Sequence, residues 1–114
     1  MVKEIHVTKD NIMEGEPGNA STCAIACAIA DTYNVKTGKH YQKHYPKIGV
    51  EDSDSIFIDY GNCWTHIQVE PEDLKIVEEF IKDFDSIEDL PITKQSLYRN
   101  EIKELKFRYT EVDH

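Results

Sequence analysis

The chain has 114 residues, a length that suits one domain with a single modest core. Its formal charge of −9 argues against indiscriminate nucleic-acid binding, because nucleic-acid phosphates would be repelled. The odd number of cysteines, three, argues against a secreted disulfide framework, and neither a membrane-spanning apolar run nor a signal-peptide core is seen. We therefore expect a soluble cytoplasmic protein with no membrane partner.

The N-terminal pattern predicts a strand, a short helical turn and a tight loop. Lys3–Thr8 alternates polar and apolar residues, as strands do. Thr8 is placed to cap a single turn, KDNIME, that stops at Gly15. The following Glu16-Pro17-Gly18 forces a turn that leads into the next element.

The next stretch, Asn19–Asn34, predicts a central helix around which the domain is built. Between Ala20 and Ala30 almost every residue is small or apolar, and a helix that is apolar on all sides is typically buried. Its alanines and cysteines allow a sheet to approach closely. Asn19 or Ser21 is expected to cap its start, and Asn34 to end it in the left-handed conformation.

Two groups of residues form recognisable motifs. The first group is Val7-Thr8, Ile12, Gly15, Pro17, Cys23, Ile25-Ala26 and Ala28-Ile29. The second is Phe80-Ile81 with Phe84-Asp85-Ser86. Together they resemble an uncharacterised family of small phage-encoded proteins, whose opening follows the pattern VT…I..G.P…CPIA.A(I/L) and which carry a helix ending FI..FD.G. Ala24 stands where the family usually has proline, and Ser86 is followed by Ile87 rather than glycine. The resemblance implies a phage origin and a shared fold, and it supplies no activity.

The middle of the chain predicts a run of strands. Lys47–Val50 favours one strand, and Ser55–Tyr60 and Cys63–Val69 each alternate with a period of two. Gly61-Asn62 between the last two is a good two-residue hairpin loop. In this hairpin Phe57 and Asp59 fall on the opposite face from Ile56 and Ile58, and Trp64, His66 and Gln68 fall opposite Thr65, Ile67 and Val69.

The C-terminal third predicts a second, amphipathic helix and a closing strand. Pro71 stands at a first helical position, and apolar residues then follow helical spacing from Leu74 to Phe84, to about Asp85. Thr93–Asn100 is expected to form a short helix, and Glu104–Val112 alternates as a strand. We thus predict one α+β domain, residues 1–114, with a small antiparallel sheet packed on the central buried helix and the amphipathic helix.

Residues 36–47, KTGKHYQKHYPK, form a basic segment in an acidic chain. They contain four lysines, two histidines, two tyrosines and no acid, whereas residues 48–93 contain thirteen acids and two lysines. Lysines neutralise phosphates, protonated histidine donates hydrogen bonds, and tyrosine stacks on bases, so the basic segment predicts a nucleotide site. The alternative places the tyrosines in the core and the lysines in water. The predicted ligand-binding residues are Lys39, His40, Tyr41, Lys43, His44, Tyr45 and Arg108, with Arg99 and Lys106 as supplements.

The cysteines offer two further chemistries, which we weigh below a structural role. Cys23, Cys27, Cys63 and His66 are ligand types for zinc, but a helical Cys-x3-Cys is not a usual zinc spacing. Cys23 near a helix start is a nucleophile candidate with a lowered pKa and His66 or His6 as base, yet the surrounding alanines predict burial. We predict buried structural cysteines, no metal and no cofactor.

Two functions of different classes follow. The first is a non-enzymatic phage counter-defence protein that binds and sequesters a nucleotide signal of host immunity. The second is an inhibitor that acts by protein contact, with the acidic residues 51–89 imitating nucleic-acid phosphates against a CRISPR or other host defence nuclease. The expected partner is a small nucleotide or a host defence protein, in the host cytoplasm, with a homo-oligomer as a further option.

Overall fold

The computed structural model describes residues 1–36 and 44–114, and it shows an α+β fold. Five strands, β1 (Lys3–Val7), β2 (Lys47–Asp52), β3 (Ser55–Asp59), β4 (Trp64–Val69) and β5 (Leu105–Asp113), form one antiparallel sheet. Their order is β1-β5-β4-β3-β2. The helices are α1 (Lys9–Glu14), α2 (Ala24–Tyr33), α3 (Leu74–Asp85) and α4 (Ile92–Glu101), with 3-10 turns at Pro71–Asp73 and Ser86–Asp89.

Helix α2 crosses the sheet, as its small residues predict. It packs on β1 and on β2, the two outermost strands, and its Ala26 and Ile29 are fully buried. A ten-residue helix is about 15 Å long, close to the roughly 19 Å width of five strands. Small side chains let one short helix lie close enough to reach both edges of the sheet.

The start of α2 differs from the prediction. The helix begins at Ala24, and its N-cap is Cys23, without a side-chain capping bond. The carbonyl of Asn19 instead accepts from the amides of Thr22 and Cys23, at 3.3 and 2.9 Å, and its side chain accepts from the Ser21 amide. Asn19 therefore closes a turn before the helix, and the predicted cap at Asn19 or Ser21 is wrong.

The two other local signals are confirmed. Thr8 caps α1 in a capping box with Asn11, whose side-chain oxygen accepts from the Thr8 amide at 2.9 Å. Asn34 ends α2 in the left-handed conformation at φ 55°. Each involves groups a few residues apart, so sequence spacing alone was enough to predict it.

The hairpin of β3 and β4 has the predicted register. Asp59 pairs with Trp64 and Phe57 with His66, and the Tyr60 amide donates to the Cys63 carbonyl across the Gly61-Asn62 loop. Gly61 has φ +97°, which an L-residue rarely adopts. The Ile56 and Ile58 face is buried beneath the helices, and Phe57 and Trp64 therefore lie on the other side of the sheet.

Candidate functional site: an aromatic depression beside the basic segment

One face of the sheet carries side chains that no packed helix hides. We call it the open face, and it holds the residues that alternate with the buried core along each strand. Its exposed or half-buried members on three strands are Phe57, Trp64, His66, Gln68, Lys106 and Arg108. A sheet face left in water is a platform on which functional side chains stand at fixed spacing.

At one end of the open face lies an aromatic depression of about 630 Å³, a size within the usual range of small-molecule sites. The cross-strand pairs Phe57–His66 and Asp59–Trp64 bring four of its residues together. Residues that line it are Asp54, Ser55, Phe57, Asp59, Gly61, Trp64 and His66.

The three rings of the depression hold one another in place. Phe57 meets Trp64 edge to face, with centroids 6.5 Å apart and planes at 78°, and His66 lies 6.4 Å from Trp64. His114 stacks on the indole at 4.1 Å and 16°, and it is not among the lining residues. The indole is nevertheless 42% exposed, so part of its surface is available to a ligand.

Gly49 sets the position of Phe57. A Cβ on Gly49 would lie 2.3 Å from Phe57 Cζ, so the ring occupies the space that any other residue would fill. Because Gly49 has no side chain, the Phe57 ring on β3 can lie against β2, and the bottom of the depression stays open.

The polar groups of the depression are mostly acceptors. His66 Nε2 donates to the Asp54 carbonyl at 3.0 Å, which fixes the ring, and Asp59 Oδ1 accepts from the Gly61 amide at 2.8 Å. Within the described chain the Asp54 carboxylate accepts no hydrogen bond. Two carboxylates repel phosphate, so the depression suits an aromatic ligand that carries N–H donors.

The end of the basic segment adjoins this depression. Tyr45 is 56% exposed, Lys47 Nζ lies 4.7 Å above its ring, and the ring packs on Gly61, 3.4 Å from where a Cβ would be. The alternative that placed the tyrosines in the core is therefore wrong for Tyr45. Lys36 and His44, from the two ends of the segment, line one hollow of about 330 Å³.

Four of the predicted ligand residues, Lys39, His40, Tyr41 and Lys43, lie outside the described residues. Of the basic segment's candidates the structure therefore places only His44 and Tyr45, which line the same hollow.

Arg108 lies elsewhere on the open face and is already paired. Its guanidinium bonds Asp73 at 3.1 Å and Glu72 at 2.9 Å, and these bonds raise its pKa and lower that of Asp73. Three strand spacings separate β5 from β2, roughly 14 Å across the sheet alone. The structure does not bring Arg108 together with Tyr45.

Arg99, predicted as a supplement, has a structural role. Its Nη1 donates to the carbonyls of Ile12, Met13 and Gly15, where α1 ends. These carbonyls have no helical partner, and the guanidinium satisfies them. Arg99 therefore joins α4 to α1, away from the basic segment.

The cysteines do not form a reactive centre. Burial raises the pKa of the Cys23 thiol to about 11, as the predicted burial implies and contrary to the nucleophile alternative, and burial likewise raises the pKa of Cys27 to about 11. Cys63 is exposed in the β3–β4 loop, so the prediction of a buried cysteine is wrong at this position. Among residues 1–36 and 44–114 no three histidines, cysteines or acids are grouped as a metal site.

The acidic residues concentrate on the helix layer. Glu78, Glu79 and Asp83 are exposed on α3, and Glu79 and Asp83 line a groove of about 520 Å³ against α4 together with Glu101 and Glu104. This surface lies on the opposite side of the sheet from the aromatic depression.

The sequence already contained the signal for the depression. Alternation and the two-residue loop together put Phe57 opposite His66 and Asp59 opposite Trp64 on one face. The strand pattern did not predict the contributions of Gly49 and Gly61 to the depression, because these depend on how β2 and Tyr45 pack.

Comparisons of the chain with protein-family models, with curated proteins and with solved structures give no match. The resemblance to the phage-encoded family therefore stays a prediction. No helix in the described part of the chain is long and apolar enough to cross a bilayer.

Proposed function

We propose that the protein binds and sequesters a small nucleotide, without turning it over, through the basic segment and the neighbouring hairpin. The observation that carries this proposal is the exposed Tyr45, which lies against Gly61 of the aromatic depression while Lys36 and His44 line one hollow beside it. Cationic and aromatic groups thus adjoin in the described structure, which is the combination that a nucleotide requires.

The charge distribution favours a small ligand over a polymer. Lys36 and Lys47 are the first and last residues of the basic segment, whose lysines and histidines supply charge-assisted bonds to phosphate. The remainder of the chain is acidic, and it repels the long phosphate backbone of DNA or RNA. A mono- or dinucleotide has few phosphates and is repelled less.

Sequestration as a biological role follows from the resemblance to phage-encoded proteins. A phage protein that removes a nucleotide signal of host immunity needs to bind it tightly in the host cytoplasm. Sequestration of this kind requires no catalytic residue. We propose this counter-defence role on that basis.

The test is titration calorimetry with a panel of cyclic di- and trinucleotides and cyclic ADP-ribose isomers. Each charge-assisted contact is worth roughly 1.5–3 kcal/mol, so Lys39→Glu/Lys43→Glu should weaken binding more than about a hundredfold. The matched control is Lys94→Glu/Lys103→Glu, which changes the net charge equally at exposed lysines that are not among the predicted ligand residues. No heat with any member, at protein concentrations well above micromolar, would overturn the proposal.

A second candidate, an inhibitor that contacts a host nuclease, is favoured by the exposed acids of α3. Glu78, Glu79 and Asp83 lie on one layer, whereas Glu72 is held by Arg108 and is less available. Reversing these three free acids to lysine should abolish partner binding and leave the fold intact. Native mass spectrometry of protein purified from bacteria with an active defence system separates the two functions, because a nucleotide supports the first and a bound protein the second.

A further inference from the structure

We propose that the aromatic depression is the base subsite of the nucleotide site and that it takes a purine bearing an exocyclic amino group. The inference rests on the proposed nucleotide binding, and it places the base among residues that the structure describes. It also divides the ligand into two parts, with the base on the sheet and the phosphates toward Tyr45 and Lys47.

Ring stacking is the first argument. His114 already stacks on the Trp64 indole, and Trp64 and Phe57 stand at 78° to each other, so a planar ligand that stacks on the remaining exposed surface of one ring receives the edge of the other. Every base has a π face, and stacking on an aromatic side chain is a major source of base affinity. The 630 Å³ volume leaves space for a bicyclic ring.

Hydrogen-bond complementarity is the second argument. Asp54 is a lining residue whose carboxylate accepts no bond from the described protein, and Asp59 uses only its Oδ1 on Gly61 within that part of the chain. An exocyclic amino group donates to such carboxylates, whereas a carbonyl oxygen in its place would be repelled. Adenine and guanine present an amino group, and unsubstituted purine does not.

Continuity with the basic segment is the third argument. Gly61 lines the depression and also carries the Tyr45 ring, and Lys47 pairs with Asp59 across the two strands. A base in the depression therefore directs its sugar and phosphates toward Tyr45 and Lys47, which lie at the positive end of the site.

Trp64 is the one tryptophan of the chain, so its fluorescence reports on the depression directly. We would titrate the protein with adenosine, guanosine, unsubstituted purine riboside and ribose 5-phosphate. The amino-bearing nucleosides should quench the emission and bind about tenfold tighter than purine riboside. Ribose 5-phosphate should leave the emission unchanged.

Variants then separate the contacts. Asp54→Ala should reduce the preference for adenosine over purine riboside to about twofold or less, with Glu78→Ala on α3 as the matched exposed-acid control. Trp64→Ala should weaken adenosine about tenfold by calorimetry. Trp64→Phe, which keeps a ring, should bind closer to wild type and stands in if the alanine variant does not fold.

The outcomes distinguish this inference from the proposed function. Cyclic nucleotides that give heat without changing Trp64 emission would overturn the base subsite and leave nucleotide binding standing. Adenosine that quenches Trp64 while no cyclic nucleotide binds more tightly would support the subsite and overturn nucleotide sequestration. Equal affinity for adenosine and purine riboside would refute the amino-group contact.

Discussion

A charge placed at the centre of α2 tests the packing of helix on sheet. Ala26 is fully buried, so an aspartate there loses its hydration. Buried carboxyls have pKa values raised by about 3–5 units, and because the folded-state carboxyl takes up a proton once its pKa exceeds the pH, the cost at pH 7 reaches roughly 4 kcal/mol. A domain of 114 residues has a free energy of unfolding of about 6–17 kcal/mol. Ala26→Asp should therefore remove a large part of the stability at pH 7.

The sign of the pH dependence makes the prediction specific. The carboxyl of Ala26→Asp has a folded-state pKa above its unfolded value. The loss in free energy of unfolding that the charge causes is therefore complete above the folded pKa, and it disappears as the pH falls toward about 4. Ala26→Asn has nearly the same shape without the charge, so the difference between the two variants should shrink as the pH falls.

Urea unfolding followed by circular dichroism from pH 7 to 4.5 measures this difference. Thr32→Asp, on an exposed position of the same helix, is the control and should cost less than about 1 kcal/mol. If Ala26→Asp and Ala26→Asn unfold with equal free energies at every pH, the centre of α2 is open to water and the reasoning fails.

Three further predictions concern single side chains. Cys63 should react with Ellman's reagent at pH 8 long before Cys23, whose thiol is buried with a raised pKa; simultaneous reaction would contradict this. Arg99→Met should lower the free energy of unfolding by about 2–3 kcal/mol in urea, because three carbonyls lose their donor, and a change under 0.5 kcal/mol would argue against the cap. Tyr33→Phe should lower the free energy of unfolding by about 1–2 kcal/mol, because Glu111 loses a hydrogen bond. Bonds from Lys3 and Tyr33 hold the pKa of Glu111 below its usual range, and the stability they contribute exists above the unfolded pKa and is lost as the pH falls. Tyr33→Phe should therefore flatten the loss of stability on acidification.

Features set by neighbouring residues were predictable from the sequence, and features set by distant ones were not. The Thr8 cap, the end of α2 at Asn34 and the Gly61-Asn62 hairpin each depend on a few adjacent residues. The two pairings of Arg108 join positions more than thirty residues apart, and alternation on β5 predicted only that its side chain is polar and outward.

The candidate site shows the same division. Composition identified the basic segment, and alternation placed Phe57 and Trp64 on one face. The position of Tyr45 against Gly61 depends on the pairing of β2 with β3 and on the absence of a side chain at Gly61, neither of which leaves a periodic signal.

The pairing of β1 with β5 has a consequence for the growing polypeptide. Lys3 pairs with Tyr109 and Val7 with Leu105, so the first strand of this sheet to be synthesised lies beside the last strand of the same sheet. Until β5 emerges, β1 lacks this neighbour and α2 lacks part of the sheet that covers it. Such chains expose apolar surface that chaperones bind, and contacts this distant in sequence form slowly. Release of β5 from the exit tunnel is therefore the step that lets the sheet close.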